Sequence, residues 1–183
     1  KKISVIYPIC ETLTLLGCLG IYAVYGLTWF SIPIFLLMPF LVALIIIDFE
    51  HMILPNQLVA IVFALGLPIF ATRLYFAENI VNPALLYGAG AMVFTLFALA
   101  LSLSMKAILK KEALGIGDVK FFGCAGLWLG LPALGNFCII GGITGTLLGI
   151  IWKKTTGKAA FPFGPALILS FYIVLLLQGS HFL

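Results

Sequence analysis

The sequence predicts an all-α protein, a polytopic bundle that spans a membrane with about seven transmembrane helices. Of its 183 residues 63% are hydrophobic and 9% are charged, and the mean hydropathy is +1.25. A soluble domain is about 45–50% apolar and about 25% charged, so this composition excludes an ordinary globular fold, disorder and nucleic-acid binding. The long apolar runs lack strand-like alternation, which excludes a barrel and leaves helices as the spanning structure. We expect residues 1–183 to form a single transmembrane domain.

Seven apolar segments mark the predicted spans. They cover residues 13–29, 32–47, 57–75, 83–105, 118–131, 134–152 and 165–182, and Pro68 interrupts the third. The fifth is short, because at about 1.5 Å per residue it covers about 21 Å of a hydrocarbon core near 30 Å. We expect this helix to lie askew or to mark a thinned patch of bilayer.

The basic residues predict the orientation of the bundle. Alternate connections carry nine lysines on one side and only Arg73 on the other, and cytoplasmic loops carry the Lys/Arg excess. The N-terminus is therefore predicted to be cytoplasmic and the C-terminus, with His181, to be outside. The net charge of +4 then reflects topology, and its natural partner is the lipid bilayer with its anionic headgroups rather than nucleic acid.

Most carboxyl groups fall on or near the predicted cytoplasmic face, and Glu78 is the exception. The residues on that face are Glu11, Asp48, Glu50, Glu112 and Asp118. Asp48 ends the second span and Asp118 begins the fifth, so packing of these spans would bring their two carboxyls together. Ionisable groups at membrane depth are costly and indicate a functional site. The alternative is a pair of interfacial aspartates solvated by headgroups.

The chain after Asp48 reads IDFEHMILPNQL and predicts a short turn at the interface over residues 48–56. Pro55 is tolerated in the first turn of a helix, and Asn56 can cap the third span. Glu50 and His51 are close enough in sequence to tune Asp48 or to contact a substrate. Their alternative role is that of solvated loop residues.

The chain around Asp118 reads GIGDVKFFGCAG. Gly115 and Gly117 permit unusual dihedrals and would let a substrate backbone approach the carboxylate closely. Lys120 is predicted to be an interfacial anchor rather than a catalytic base. Two further sets of small residues predict tight helix packing: Gly123, Gly126 and Gly130 on the fifth span, and Gly141, Gly145 and Gly149 on the sixth.

These residues resemble a known family. IDFEHMILPN together with GIGD resembles the two-aspartate signature of the type IV prepilin peptidases, the GxGD intramembrane aspartyl proteases that process pilins and type II secretion pseudopilins. ISVIYPICETLT is similar to the segment that enters the family's second span, and FPFGP at residues 161–165 resembles its last cytoplasmic loop. Four blocks occur in the family's order over nearly the whole chain.

The resemblance implies that Asp48 and Asp118 are the catalytic pair, with Gly115, Gly117, Glu50, Pro55, Asn56 and Lys120 as candidates for substrate binding or site support. It implies removal of a short basic leader, cut after glycine at the start of the pilin's hydrophobic helix. It also implies a site at the cytoplasmic face of the bacterial inner membrane.

No cofactor is expected for cleavage, and no metal site is predicted from Cys10, Cys18, Cys124 and Cys138, which show neither C-x-x-C spacing nor clustering. Full-length family members carry a further span and a zinc-binding cytoplasmic domain upstream of the block that starts this sequence, and they methylate the new N-terminus with S-adenosylmethionine. The first residue is Lys1, so we expect the sequence to begin inside a longer natural protein, and zinc and S-adenosylmethionine would belong to that longer protein only.

Two alternatives remain open on the sequence. One is a presenilin-like or signal-peptide-peptidase-like protease, which also uses GxGD, although Ile47 stands where that family has tyrosine. The other is a small proton- or cation-coupled transporter that uses Asp48 and Asp118 as carriers. No convincing internal repeat supports the transporter.

Overall fold

The computed structural model describes residues 6–77, 79, 81–109, 114–158 and 160–179, and these residues form helices and short connections with no β-strand among them. The helices are α1 (Ile6–Tyr25), α2 (Ile32–His51), α3 (Asn56–Phe76), α4 (Val81–Pro83), α5 (Ala89–Leu109), α6 (Ile116–Leu129), α7 (Leu134–Thr156) and α8 (Gly164–Gln178). A π-helical turn, Ala84–Gly88, joins α4 to α5, and single 3₁₀ turns, Trp29–Ser31 and Leu131–Ala133, precede α2 and α7.

The predicted fold class is confirmed, and each of the seven predicted spans corresponds to one helical segment. Within the described ranges, five of these segments are long and apolar enough to cross a membrane. The other two are shorter, because α6 has 14 residues and α8 has 15. A multi-pass membrane protein follows from the five long segments.

The predictions for the first and third helices were wrong in part. The first helix runs over Ile6–Tyr25 rather than residues 13–29, because Gly26 with a φ of 64° ends it and Thr28 caps the 3₁₀ turn that follows. The third helix continues through Pro68 without interruption. A proline in a membrane helix frees only local backbone groups, which neighbouring turns and helices can satisfy again.

The short helix α6 lies at the centre of the bundle, packed against α3, α5 and α8. Ten of its 14 residues are buried, whereas only three of 20 are buried in α1. Backbone approaches backbone here, since a Cβ at Gly126 would lie 2.5 Å from the carbonyl oxygen of Gly90. Gly123 instead faces a side chain of α5, since a Cβ there would lie 2.5 Å from Oγ1 of Thr95, so the predicted packing role of these two glycines is confirmed.

Gly130 has a second role besides the predicted close packing. It lies just after α6 as the C-cap, with a φ of 77° that side-chain-bearing residues rarely adopt. The chain turns there against the ring of Tyr87.

Carbonyl groups at the C-terminal end of α6 accept hydrogen bonds from side chains of neighbouring helices. Arg73 of α3 donates from Nη1 to the carbonyl oxygen of Trp128 at 3.2 Å, and Gln178 of α8 donates from Nε2 to that of Leu129 at 2.7 Å. The last carbonyls of a helix have no partner within it, and at membrane depth leaving them unpaired is costly. These contacts explain how a 14-residue helix can end inside the bundle.

The glycine stripe of α7 packs inside the bundle, as predicted. Gly141 faces Ser170 of α8, Gly145 faces the ring of Phe163, and Gly149 faces the ring of Phe161. Both α8 and the aromatic segment that precedes it therefore pack against this stripe.

Candidate active site

Asp48 lies on α2, one turn before the end of the helix, and is only 4% exposed. The predicted turn over residues 48–56 is shorter than expected, because α2 continues to His51. Met52 then adopts a left-handed conformation, with φ 53° and ψ 39°, and its N–H donates to the carbonyl oxygen of Asp48 at 2.9 Å. The turn is thus confined to residues 52–55.

The side chain of Asp48 is held by a distant part of the chain. The backbone N–H of Gly164 donates to Oδ2 of Asp48 at 2.9 Å, across 116 residues of sequence. Gly164 is the first residue of α8, where backbone N–H groups lack partners within the helix. The carboxyl of Asp48 therefore serves as the partner of one of these groups.

Asp118 is the third residue of α6 and is half-buried. Its Oδ2 accepts a hydrogen bond of 3.3 Å from the N–H of Gly115, the residue that caps the helix. This is the contact that an acidic residue makes at the third position of a helix. Asp48 and Asp118 lie at the same end of the bundle, because Gly164, which binds Asp48, and the first turn of α6, which carries Asp118, both pack against Leu54.

Leu54 links the two halves of this site. A Cβ at Gly117 would lie 2.9 Å from Cβ of Leu54 and 3.1 Å from its carbonyl oxygen. The other end of the same side chain reaches Gly164, because a Cβ there would lie 3.1 Å from Cδ2 of Leu54. Leu54 itself is buried, at 5% exposure. The turn after α2 thus packs into the first turn of α6 and against the start of α8.

The two glycines before Asp118 do not have the predicted backbone role. Gly115 has φ −68° and ψ 150°, which any residue can adopt, and Gly117 lies in a helical turn without a positive φ. Space rather than conformational freedom makes Gly117 necessary, because a Cβ there would meet Cβ and the carbonyl oxygen of Leu54.

Glu50 and His51 lie beside the site without joining it. Both side chains are exposed, and they approach each other at 3.8 Å, from Oε2 to Nε2. Among the described residues, no hydrogen bond or ion pair connects either of them to Asp48 or Asp118. Glu112, which was placed on the same face, lies outside the described residues.

Pro55 and Asn56 exchange the roles predicted for them. Pro55 is the N-cap of α3, and Asn56 is the first helical residue and makes no capping hydrogen bond. Its Oδ1 instead accepts from Nζ of Lys120 at 2.8 Å, which joins α3 to α6. Asn56 and Lys120 line a groove of about 700 Å³ between α3, α5 and α6 to which neither aspartate contributes.

Two residues of the site were missed from the sequence, Leu54 and Gly164. The FPFGP segment was noticed only as a resemblance, and nothing in it indicates which side chain its glycine meets. In the part of the chain that the structure describes, no three His, Cys, Asp or Glu side chains come together as they would around a metal ion.

Comparison with known proteins identifies the family. The type IV leader peptidase family matches residues 35–150, a range that contains both aspartates. No solved structure matches the chain.

Named relatives agree with the family match. A prepilin leader peptidase/N-methyltransferase of Xanthomonas campestris pv. campestris is 33% identical over 177 residues, which is 95% of this chain and 60% of the relative. A type 4 prepilin-like proteins leader peptide-processing enzyme of Escherichia coli O78:H11 is 34% identical over 180 residues, or 97% of this chain and 64% of the relative. The chain spans about three fifths of the length of these curated relatives. With its two aspartates inside the matched range, the chain belongs to the type IV leader peptidase family.

Proposed function

We propose that this chain is a membrane aspartyl endopeptidase that removes the short basic leader from type IV prepilins and type II secretion pseudopilins. What supports the proposal is that Asp48 of α2 and Asp118 of α6 lie at one end of the bundle, where Leu54 packs against both the first turn of α6 and Gly164, the partner of Asp48. Relatives that are named prepilin leader peptidases support the substrate class. The same relatives favour this function over the presenilin-like and transporter alternatives.

Two carboxyl groups are sufficient for peptide hydrolysis. One ionised carboxylate takes a proton from the attacking water, and one neutral carboxyl donates a hydrogen bond to the oxygen of the scissile carbonyl. Two aspartates in close proximity supply both forms, because like charges a few ångströms apart resist double ionisation and the pair shares one proton. Neither a metal nor S-adenosylmethionine enters a step of this mechanism.

The substrate would reach the site at the cytoplasmic membrane surface. Lys106 lies in the last turn of α5, which precedes the helix α6 that carries Asp118, and Lys153 and Lys154 lie in the last turn of α7, which precedes α8. Arg73 lies at the other end of α6. This distribution of positive charge supports a cytoplasmic catalytic site, in which the hydrophobic pilin helix remains in the membrane and its leader in water.

The proposal is tested by incubating the purified protein in detergent with a full-length type IV prepilin. We expect mass spectrometry to find a leader cut after the glycine that precedes the hydrophobic helix, and a metal chelator should not change the rate. Asp48→Asn and Asp118→Asn should each reduce the rate at least about 100-fold, with a melting temperature close to that of the wild type as the folding control. Intact prepilin after incubation with folded wild-type protein would contradict the proposal.

A further inference from the structure

The start of α8 is built against the carboxyl of Asp48. A Cβ at Gly164 would lie 2.7 Å from Oδ2 and 3.0 Å from Cγ of Asp48. Real Cβ atoms do not approach other atoms so closely, so with any other residue here either Asp48 or the helix would have to move. The need for glycine at this position is one of space, because Gly164 is not among the glycines with positive φ.

The hydrogen bond from Gly164 also fixes the carboxyl itself. The Gly164 N–H is buried and lies 2.9 Å from Oδ2. A buried N–H without a partner costs about 1–3 kcal/mol of folding stability, so loss of the hydrogen bond between Gly164 and Asp48 would be costly. With Oδ2 held in this way, rotation of the carboxyl about its last bond is restricted.

The position of Gly164 is in turn set by the aromatic residues before it. The rings of Phe161 and Phe163 pack edge to face, with centroids 6.2 Å apart. They lie on the glycine stripe of α7, where a Cβ at Gly145 would be 2.6 Å from the ring of Phe163. The carbonyl oxygen of Phe163 accepts the N–H groups of Ala166 and Leu167 and so begins α8.

From these contacts we infer that Gly164 is a positioning residue for Asp48, and that α7 sets its place through Phe163. The inference rests on the proposed peptidase function, because it concerns the orientation of one of the two reacting carboxyls. Displacement of a reacting group by about 1 Å can cost about 100-fold in rate. The first turn of α8 would therefore affect catalysis by holding Asp48 in place, although Gly164 itself has no side chain that could react.

Gly164→Ala tests the inference, and Gly142→Ala is its matched control, since a Cβ at Gly142 meets nothing within 4 Å. With a purified prepilin as substrate, Gly164→Ala should lower kcat about 100-fold and leave KM nearly unchanged, whereas the control should resemble the wild type. Wild-type kcat in a folded Gly164→Ala protein would overturn the inference. Failure of the wild type to cleave would instead refute the proposed function.

A stability measurement tests the same contact without any substrate. If the added methyl group acts on Asp48, the loss of melting temperature caused by Gly164→Ala should shrink by more than half when Asp48 is replaced by alanine. An equal loss in both backgrounds would show that the methyl group acts elsewhere and would overturn the inference.

If Gly164→Ala does not fold, a substitution farther from Asp48 can test the inference. Gly145→Ala should lower kcat by displacing Phe163, and a second substitution, Phe163→Leu, should restore part of the loss by removing the ring atoms that clash. Full kcat in folded Gly145→Ala, or no recovery in the double variant, would contradict the path from α7 to Asp48.

Discussion

The two aspartates proposed as the catalytic pair are held in different ways. Asp118 accepts a hydrogen bond from Gly115, three residues earlier, within the cap of its own helix. Asp48 accepts one from Gly164, 116 residues later, and is buried where Asp118 is half-buried. The geometry at Asp118 is therefore a local property of one helix end, whereas the geometry at Asp48 exists only once α8 has packed against α2.

The difference shows that the geometry of the site depends on long-range packing at one of its two carboxyls, that of Asp48. Leu54 is the contact between the two parts, because it touches both the first turn of α6 and the start of α8. Substitutions at this contact should affect both aspartates, and substitutions at either end should affect one.

The largest effect is expected from Gly117→Val. A Cβ at this position would lie 3.1 Å from the backbone oxygen of Leu54, so a branched side chain should push the turn after α2 away from α6. We expect prepilin cleavage to fall at least about 100-fold, since both carboxyls move relative to each other. The matched control is Gly142→Val, and normal turnover by Gly117→Val would show that the turn does not couple the two parts.

The helix that carries Asp118 can be tested through its contact with α5. Gly126→Ala should destabilise the protein by about 1–3 kcal/mol, because the new methyl group meets the backbone of Gly90 and forces two close-packed helices apart. Thermal unfolding in detergent measures this, with Gly135→Ala as the control, since a Cβ at Gly135 meets nothing within 4 Å. Equal melting temperatures for both variants would contradict the close approach of α5 and α6.

Alanine substitutions compare the two aspartates directly. Asp48→Ala leaves the buried N–H of Gly164 unpaired and should cost about 2 kcal/mol. Asp118→Ala removes a cap at an exposed helix start and should cost about 1 kcal/mol. Asp48→Asn retains an acceptor oxygen and should lie near the wild type. If thermal unfolding showed a greater loss of stability for Asp118→Ala than for Asp48→Ala, the expected difference between the two aspartates would be contradicted.

The smallest effect is expected from Lys120→Gln. Its ammonium group bonds Asn56 on an exposed surface, and among the described residues no hydrogen bond or ion pair joins it to either aspartate. Substitutions at such positions usually change stability by no more than about 0.5 kcal/mol. We expect cleavage within about twofold of the wild type, because glutamine can still donate to Asn56. A large loss of cleavage with normal stability would place Lys120 in substrate binding.

Much of this arrangement could be predicted from the sequence. Apolar segment lengths predicted the helices and the short α6, and Asp48 and Asp118 were correctly placed near helix ends. Asn56 was predicted to cap α3 because asparagine often does so, but Pro55 takes the cap position and leaves Asn56 one residue inside the helix. The left-handed Met52 carries no local signal, since positive φ is usual for glycine or asparagine.

The contact at Gly164 could not be predicted for a different reason. Its partner lies 116 residues away, and the contact depends on how α2, α7 and α8 pack together. A single sequence gives helix periodicity and end signals, which are local, and it gives no distance between two elements that are far apart in the chain. Gly115 and Gly117 show the same limit, since their types were noticed but the neighbour that requires Gly117 was not.

The claim that Asp48 and Asp118 occupy one site is tested most directly by replacing both with cysteine in a variant that lacks Cys10, Cys18, Cys124 and Cys138. Thiolates are soft ligands, so two adjacent ones should bind a single Cd²⁺ ion far more tightly than one. We expect titration to give one tightly bound Cd²⁺ per protein for the Asp48→Cys/Asp118→Cys pair and weak binding for each single variant. Equal, weak binding by the pair and the single variants would show that the two positions do not meet.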